Sequence, residues 1–168
     1  MAQPATNVAL SHCAHDHEAC ITDALARADT VCRQQGLRLT AIRRRVLELI
    51  WANHQPTKAY DLLAQINAKR GNAAPPTVYR ALDFLLEAGL IHKIESQNAF
   101  IGCAVDHERN QPKFFICREC GRAAEIQSSQ IDDVIASEAQ EAGFVVDHQT
   151  IEVDGLCAAC AGAESTNS

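Results

Sequence analysis

The chain has 168 residues, room for one domain or two small ones, and 47% of them are hydrophobic, which excludes global disorder. No apolar run approaches the roughly 20 residues that a membrane span needs, and the N-terminus lacks the basic start and apolar stretch of a signal peptide, so a cytoplasmic chain without a membrane partner is expected. In that reducing compartment the eight cysteines point to metal ligands or redox thiols and not to structural disulfides. The net charge of −6 conceals a segregation. Residues 27–80 carry ten Lys/Arg against three acids, a balance of +7, whereas residues 103–168 carry four against twelve, a balance of −8. A basic half suits phosphate neutralisation and an acidic half is repelled by it; on charge alone, chance segregation of solvated side chains explains the pattern as well.

Residues 1–20 read as a flexible leader. His12, Cys13, His15, His17 and Cys20 are dense enough there for an accessory zinc or copper site, although nothing around them fixes a geometry; the simpler reading is an incidental His/Cys-rich tail. A helix is expected over 21–35, with Leu25, Ala28 and Cys32 among its apolar positions and Gly36 ending it. Thr40 suits the N-cap of a second helix over 41–53, whose buried face is Ile42, Val46, Leu49 and Ile50. Arg43, Arg44 and Arg45 follow one another, so they fan around that helix, and only one or two could reach a common partner such as phosphate. A turn at 55–57 leads to a third helix over 58–69 with Leu62, Leu63 and Ile66 inward.

The stretch 75–94, PPTVYRALDFLLEAGLIHKI, is the centre of the first half. Two prolines open it, as a first helical turn tolerates. Val78, Leu82, Leu85 and Leu86 recur on one face, and Gly89 stops the helix. Thr77, Tyr79 and Arg80 point elsewhere, near the N-terminal end, where a major-groove helix carries its reading residues. Strands at 90–94 and 99–101 around Ser96-Gln97-Asn98 complete a winged helix-turn-helix over 21–102. A hinge over 103–111 follows. Strands at 113–116 and 122–127, a helix over 129–142 with Ile131, Val134, Ile135 and Ala139 inward, strand-like 144–146 and 149–153, and a polar tail from 162 make 112–161 a small second unit. The fold class is α+β.

Cys117-x₂-Cys120 and Cys157-x₂-Cys160 are separated by 36 residues. Each knuckle offers two thiolates and the pair completes a tetrahedron, so a structural zinc is expected. Thiol redox chemistry and an iron–sulfur cluster are the alternatives. A second set, His92, Cys103, His107 and Glu125, mixes one sulfur, two imidazoles and a carboxylate in a way zinc accepts. Spacing does not select it: His107 reads equally as a loop histidine and Glu125 as a solvated carboxylate.

With GLRLT (36–40), AYDLL (59–63), PPTVYRALDFLLEAGLIHKIES (75–96), FICRECG (115–121) and GLCAAC (155–160) in hand, the chain resembles the ferric uptake regulator family from about Ala24 to Ala161. The resemblance implies a homodimeric, metal-loaded repressor that binds a palindromic double-stranded DNA operator, without a small-molecule substrate or catalysis. It implies DNA contacts by Tyr79 and Arg80, beside which Thr77, Arg38, Thr40 and Arg43 are expected as further DNA-binding residues, and a structural zinc on Cys117, Cys120, Cys157 and Cys160. It also implies a regulatory zinc on His92, Cys103, His107 and Glu125, hence two zinc ions per subunit, and makes 112–161 the dimerisation domain. Cys103 is the discriminating residue, because the family's zinc-sensing branch has a thiol there. Where many members read Thr-Pro-Gln-Arg, this chain has Thr40-Ala41-Ile42-Arg43. The competing readings are a sensor of iron, nickel or peroxide, an enzyme using zinc or a dithiol, and a purely structural zinc protein. An enzyme would need an open coordination position and a nearby base, neither of which the motifs supply; the basic first half argues against the structural protein.

Overall fold

A computed structural model describes residues 17–52, 55–70, 73–103 and 112–164. The chain divides into two units, Cys13–Asp106 and, C-terminally, His107–Ser168. No helix among the described residues is long and apolar enough to cross a membrane.

The first unit packs four helices and a hairpin: α1 (His17–Gln34), α2 (Ala41–Trp51), α3 (Ala59–Arg70), α4 (Pro75–Glu87), β1 (Ile91–Ile94) and β2 (Ala99–Gly102). α1 starts four residues earlier than the apolar pattern suggests, with Glu18 in its first turn and Arg33 in its last, each at the end of the helix dipole that favours its charge. Thr40 occupies the N-cap of α2 as expected, yet its side chain makes no capping bond; its carbonyl accepts from the Arg44 N–H at 2.9 Å. Pro75 and Pro76 fill the first two positions of α4. The approach to α4 is held by Asn67, whose Oδ1 accepts from the Ala73 N–H at 2.7 Å. Gly89, at φ +67, turns the chain out of α4: Leu90 N–H donates to Leu85 O at 2.9 Å and Gly89 N–H to Leu86 O at 3.0 Å. That left-handed residue and paired bonding satisfy carbonyls the helix end would orphan, and glycine adopts the conformation without a Cβ penalty.

The core of this unit joins Val46, Leu47 and Ile50 of α2 to Leu62 of α3 and to Val78, Leu82 and Leu85 of α4. Phe84, with no place in the expected apolar face, is buried too, whereas Leu86 is only half-buried. β1 and β2 pair antiparallel from Ile91↔Gly102 to Ile94↔Ala99. Asn98, at φ +46, closes the turn, a conformation Asn tolerates better than most residues. Thr57, read from sequence as part of a turn, exchanges two 2.8 Å backbone hydrogen bonds with Phe100 and adds a one-residue bridge to the wing. Gly102 admits no side chain, since a Cβ there would lie 2.3 Å from Trp51 Cε2.

The second unit contains β3 (Lys113–Cys117), β4 (Ala123–Glu125), α5 (Ser129–Glu141), β5 (Ile151–Gly155) and α6 (Ala158–Glu164). Its sheet runs β4-β3-β5, with β3 antiparallel to β4 and parallel to β5. Parallel neighbours need a crossover, which α5 supplies; Ser128 caps it, accepting from the Ile131 N–H at 3.4 Å. Lys113, buried in β3, places Nζ 2.7 Å from Asp132 Oδ1 of α5, which also accepts from Gln149 at 3.3 Å. That pairing satisfies a charge which would otherwise be costly to bury.

Three expectations fail here. Residues 144–146 form no strand, and Phe144 and Val145 stay 66% and 79% exposed. The inward face of α5 is only half-buried, with Val134 60% exposed. The second knuckle runs into a helix, α6, where a tail was expected from residue 162.

Candidate metal centre and nucleic-acid interface

The β3–β5 register builds the four-cysteine site. Cys117 ends β3 opposite Gly155, two residues before Cys157, so the parallel pairing carries the second knuckle to the first. The Cys117 knuckle is a tight turn, with Gly121 N–H donating to Cys117 O and Cys117 N–H to Arg122 O, both at 2.8 Å. Cys157 and Cys160 flank and enter the start of α6. The four sulfurs lie within 4.8 Å of one another, and Cys120 Sγ and Cys157 Sγ are 3.9 Å apart. This is far beyond the roughly 2.05 Å of a disulfide. It matches the edge of about 3.8 Å that four sulfurs make around a tetrahedral zinc with bonds of about 2.3 Å. The donor set therefore fits zinc, and four thiolates leave no open position for catalysis.

Electrostatics favour the same reading. Backbone N–H groups of Cys120 and then Cys157 lower the Cys117 pKa to about 6, so this thiol is ionised at neutral pH. The Cys157 N–H is 3.3 Å from Cys117 Sγ. Cys160 is pushed up to about 12, first by its hydrogen bond with Cys157, then by burial and the remaining thiols. One thiolate forms readily and the crowd resists the next, which is the arrangement a dication relieves.

In the first unit the hairpin register brings together His92 and Cys103. His92 faces Ile101 across the ladder, and Cys103 lies two residues further on, so both point to one face of the wing. The Cys103 N–H donates to Leu90 O at 3.1 Å, continuing the ladder beyond β2. Both residues are buried, and they offer ligand atoms within 4.8 Å of each other. Glu125 is half-buried on β4, opposite Phe114. His107 lies outside the described residues. So do His12, Cys13 and His15 of the leader; His17 opens α1, and Cys20 is half-buried in its first turn.

On α4, Thr77, Tyr79 and Arg80 are exposed, Tyr79 to 53%. Arg38 is exposed before α2 and Thr40 is half-buried. The three successive arginines of α2 are engaged inside the unit. Arg44 pairs with Asp29 of α1 at 2.6 Å, and Arg45 with Glu48 at 2.9 Å. Arg43 lies 3.5 Å from the Phe84 ring centroid. Sequence reasoning missed these partners, and the 40 residues between Arg43 and Phe84 left no local signal.

The sequence profile of the ferric uptake regulator family matches residues 34–154. The zinc uptake regulation protein of Escherichia coli K12 is 42% identical over 142 residues, which cover 84% of this chain and 83% of that protein. A solved zinc uptake regulator complexed with zinc and DNA superposes with a TM-score of 0.82 at 40% identity, covering 86% of this chain and 97% of its own. The crystal structure of holo XcZur gives 0.77 at 41% identity, covering 84% of this chain and 99% of that one.

Proposed function

The chain belongs to the ferric uptake regulator family, and on that premise we propose that it is a zinc-responsive transcriptional repressor of zinc uptake that binds palindromic operators in the cytoplasm as a homodimer. The observation that carries the zinc reading is the thiol of Cys103, buried on the same face of the wing as His92. A sulfur–imidazole pair suits zinc, whereas iron sensing calls for harder carboxylate and imidazole donors. Two zinc ions per subunit are proposed. Cys117, Cys120, Cys157 and Cys160 would hold the structural ion, which supplies folding energy and no chemistry. His92, Cys103, His107 and Glu125 would bind the regulatory one.

Thr77, Tyr79 and Arg80 are assigned to the major groove, where an arginine can donate two hydrogen bonds to a guanine edge. Arg38 and Thr40 are assigned to the adjacent phosphates. The exposed apolar side chains of the second unit, Val134, Phe144, Val145 and Val153, support a face covered by a second copy. Its negative balance keeps that half off the DNA. His92 and Cys103 belong to the reading unit and Glu125 to the dimerising one, so shared regulatory zinc would restrict their arrangement. A C₂ dimer then presents its two α4 helices at one spacing, which operator half-sites demand. Moving such an equilibrium from 1:99 to 99:1 takes about 5.5 kcal/mol of differential zinc binding.

The test is binding to a panel of palindromic duplexes under buffered free zinc, with parallel titrations of iron(II) and nickel(II). Binding that switches on at low free zinc and not with iron is expected; metal-independent binding would remove the sensor and leave only the DNA-binding fold.

A further inference from the structure

Arg43 lies in the first turn of α2, where sequence reasoning put a DNA contact. Its guanidinium is stacked over the Phe84 ring, 3.5 Å from the centroid. Its Nη1 donates to the carbonyl oxygen of Arg38 at 2.6 Å. Phe84 is buried on α4, one turn beyond Arg80. One planar cation thus ties together the segment before α2, α2 itself and the helix assigned to base reading. The other two arginines of the run do not do this: Arg44 turns back to α1, and Arg45 stays on α2.

Resting on the DNA-binding reading above, we propose that Arg43 is a positioning residue for operator recognition. It clamps the segment carrying Arg38 and Thr40 to the helix carrying Thr77, Tyr79 and Arg80, and makes no phosphate contact of its own. Phosphate contacts set the register in which base contacts are read. If the two sets ride on separate pieces, any slack between them costs specific binding more than non-specific binding. Arginine suits the task because its flat fork can lie on a ring with one face while its edge donates to a carbonyl; a lysine ammonium is a point charge that can keep the ring contact but lacks the fork.

The experiment uses the zinc-loaded full chain. Wild type, Arg43→Gln, Arg43→Lys, Phe84→Leu and the Arg43→Gln/Phe84→Leu double variant are titrated over a range of salt concentrations. The probes are a palindromic duplex selected with wild type and a scrambled duplex. Losing the ring contact and the carbonyl bond is expected to weaken operator binding about three- to thirtyfold. Scrambled-duplex binding and the slope of log affinity against log salt should stay unchanged. Phe84→Leu should reproduce the loss without touching a charge, the double variant should add little to either single one, and Arg43→Lys should recover part of it.

A slope shallower by about 0.9, with equal losses on both duplexes, is the mark of a phosphate contact and would overturn the proposal. So would wild-type operator affinity in Arg43→Gln, or full additivity in the double variant. The stacking is also read without DNA, by the upfield ring-current shift of the Arg43 side-chain protons and its loss in Phe84→Leu; absence of that shift in wild type overturns the clamp. Failure of the zinc-loaded wild type to bind any palindrome would instead sink the functional reading, and the ring-current measurement tells the two failures apart.

Discussion

Replacing Cys160 by serine should melt the second unit and leave the winged helix standing. Among the described residues of that unit, the buried large apolar side chains are Phe114, Ile116 and Ile126, and α5 buries none. Three such side chains contribute about 5–9 kcal/mol, whereas thiolate-bound zinc contributes about 10–16 kcal/mol in small zinc domains. The metal term is the larger, so this unit depends on its ligands more than on its core. An even share per ligand sets the loss of one thiolate at about 2.5–4 kcal/mol. At about 4–8 °C per kcal/mol for a unit this small, its midpoint falls by roughly 10–30 °C. The first unit has its own apolar core around α2 and α4, free of the four-cysteine ligands. The single tryptophan, Trp51, packs there against Gly102 and reports on that unit alone. Heating wild type and variant in excess zinc, followed by both far-ultraviolet circular dichroism and Trp51 fluorescence, should split one transition into two, with the Trp51 transition held near its wild-type position. Coincident, unshifted transitions in the two signals would refute the reasoning, since the sulfurs would then contribute nothing the core does not already supply.

Cys103→Ser should abolish zinc-dependent operator binding while leaving a folded dimer, as read by anisotropy under buffered zinc and by light scattering; wild-type affinity in the variant would contradict the regulatory assignment. Val145→Asp places a charge on an exposed apolar position of the second unit, and should weaken dimerisation at least tenfold in sedimentation, with an unchanged dimer mass at micromolar concentration counting against that face. Asp29 is held below its ordinary pKa first by the Arg44 hydrogen bond. Its contribution to stability is therefore present above the ordinary carboxylate value of about 3.9 and lost as pH falls through the lower folded value. Wild type should melt above Asp29→Asn at neutral pH, and the two should converge in acid; a gap that widens on acidification would show the ion pair to be misassigned.

What the sequence made legible was local. The prolines and Gly89 bracket α4, the apolar spacing picks out Val78, Leu82 and Leu85, and each Cys-x₂-Cys knuckle is set locally, one by the turn at Cys117–Gly121 and one by the start of α6. What it left illegible was partner choice across the chain. The apolar, β-branched run at 144–146 states that a strand is possible, but not that it finds a partner, and it joins no sheet. The helical pattern of 129–142 was right about the helix and wrong about how much of its apolar face this chain covers. Cys103 could not be set beside His92 until the register paired residue 92 with 101; one residue of slip would have put the thiol on the opposite face. The arginines make the same point for function. Charge counting gave residues 27–80 their basic balance, which suits DNA phosphates but is equally explained by solvated side chains, and did not say which cations are engaged elsewhere. Yet Arg43, Arg44 and Arg45 each have an internal partner, so the positive field at the DNA face and the side chains that read the DNA are separate properties. Net charge follows from composition, while the cations available to a partner depend on the fold, which leaves Arg38 and Arg80 exposed.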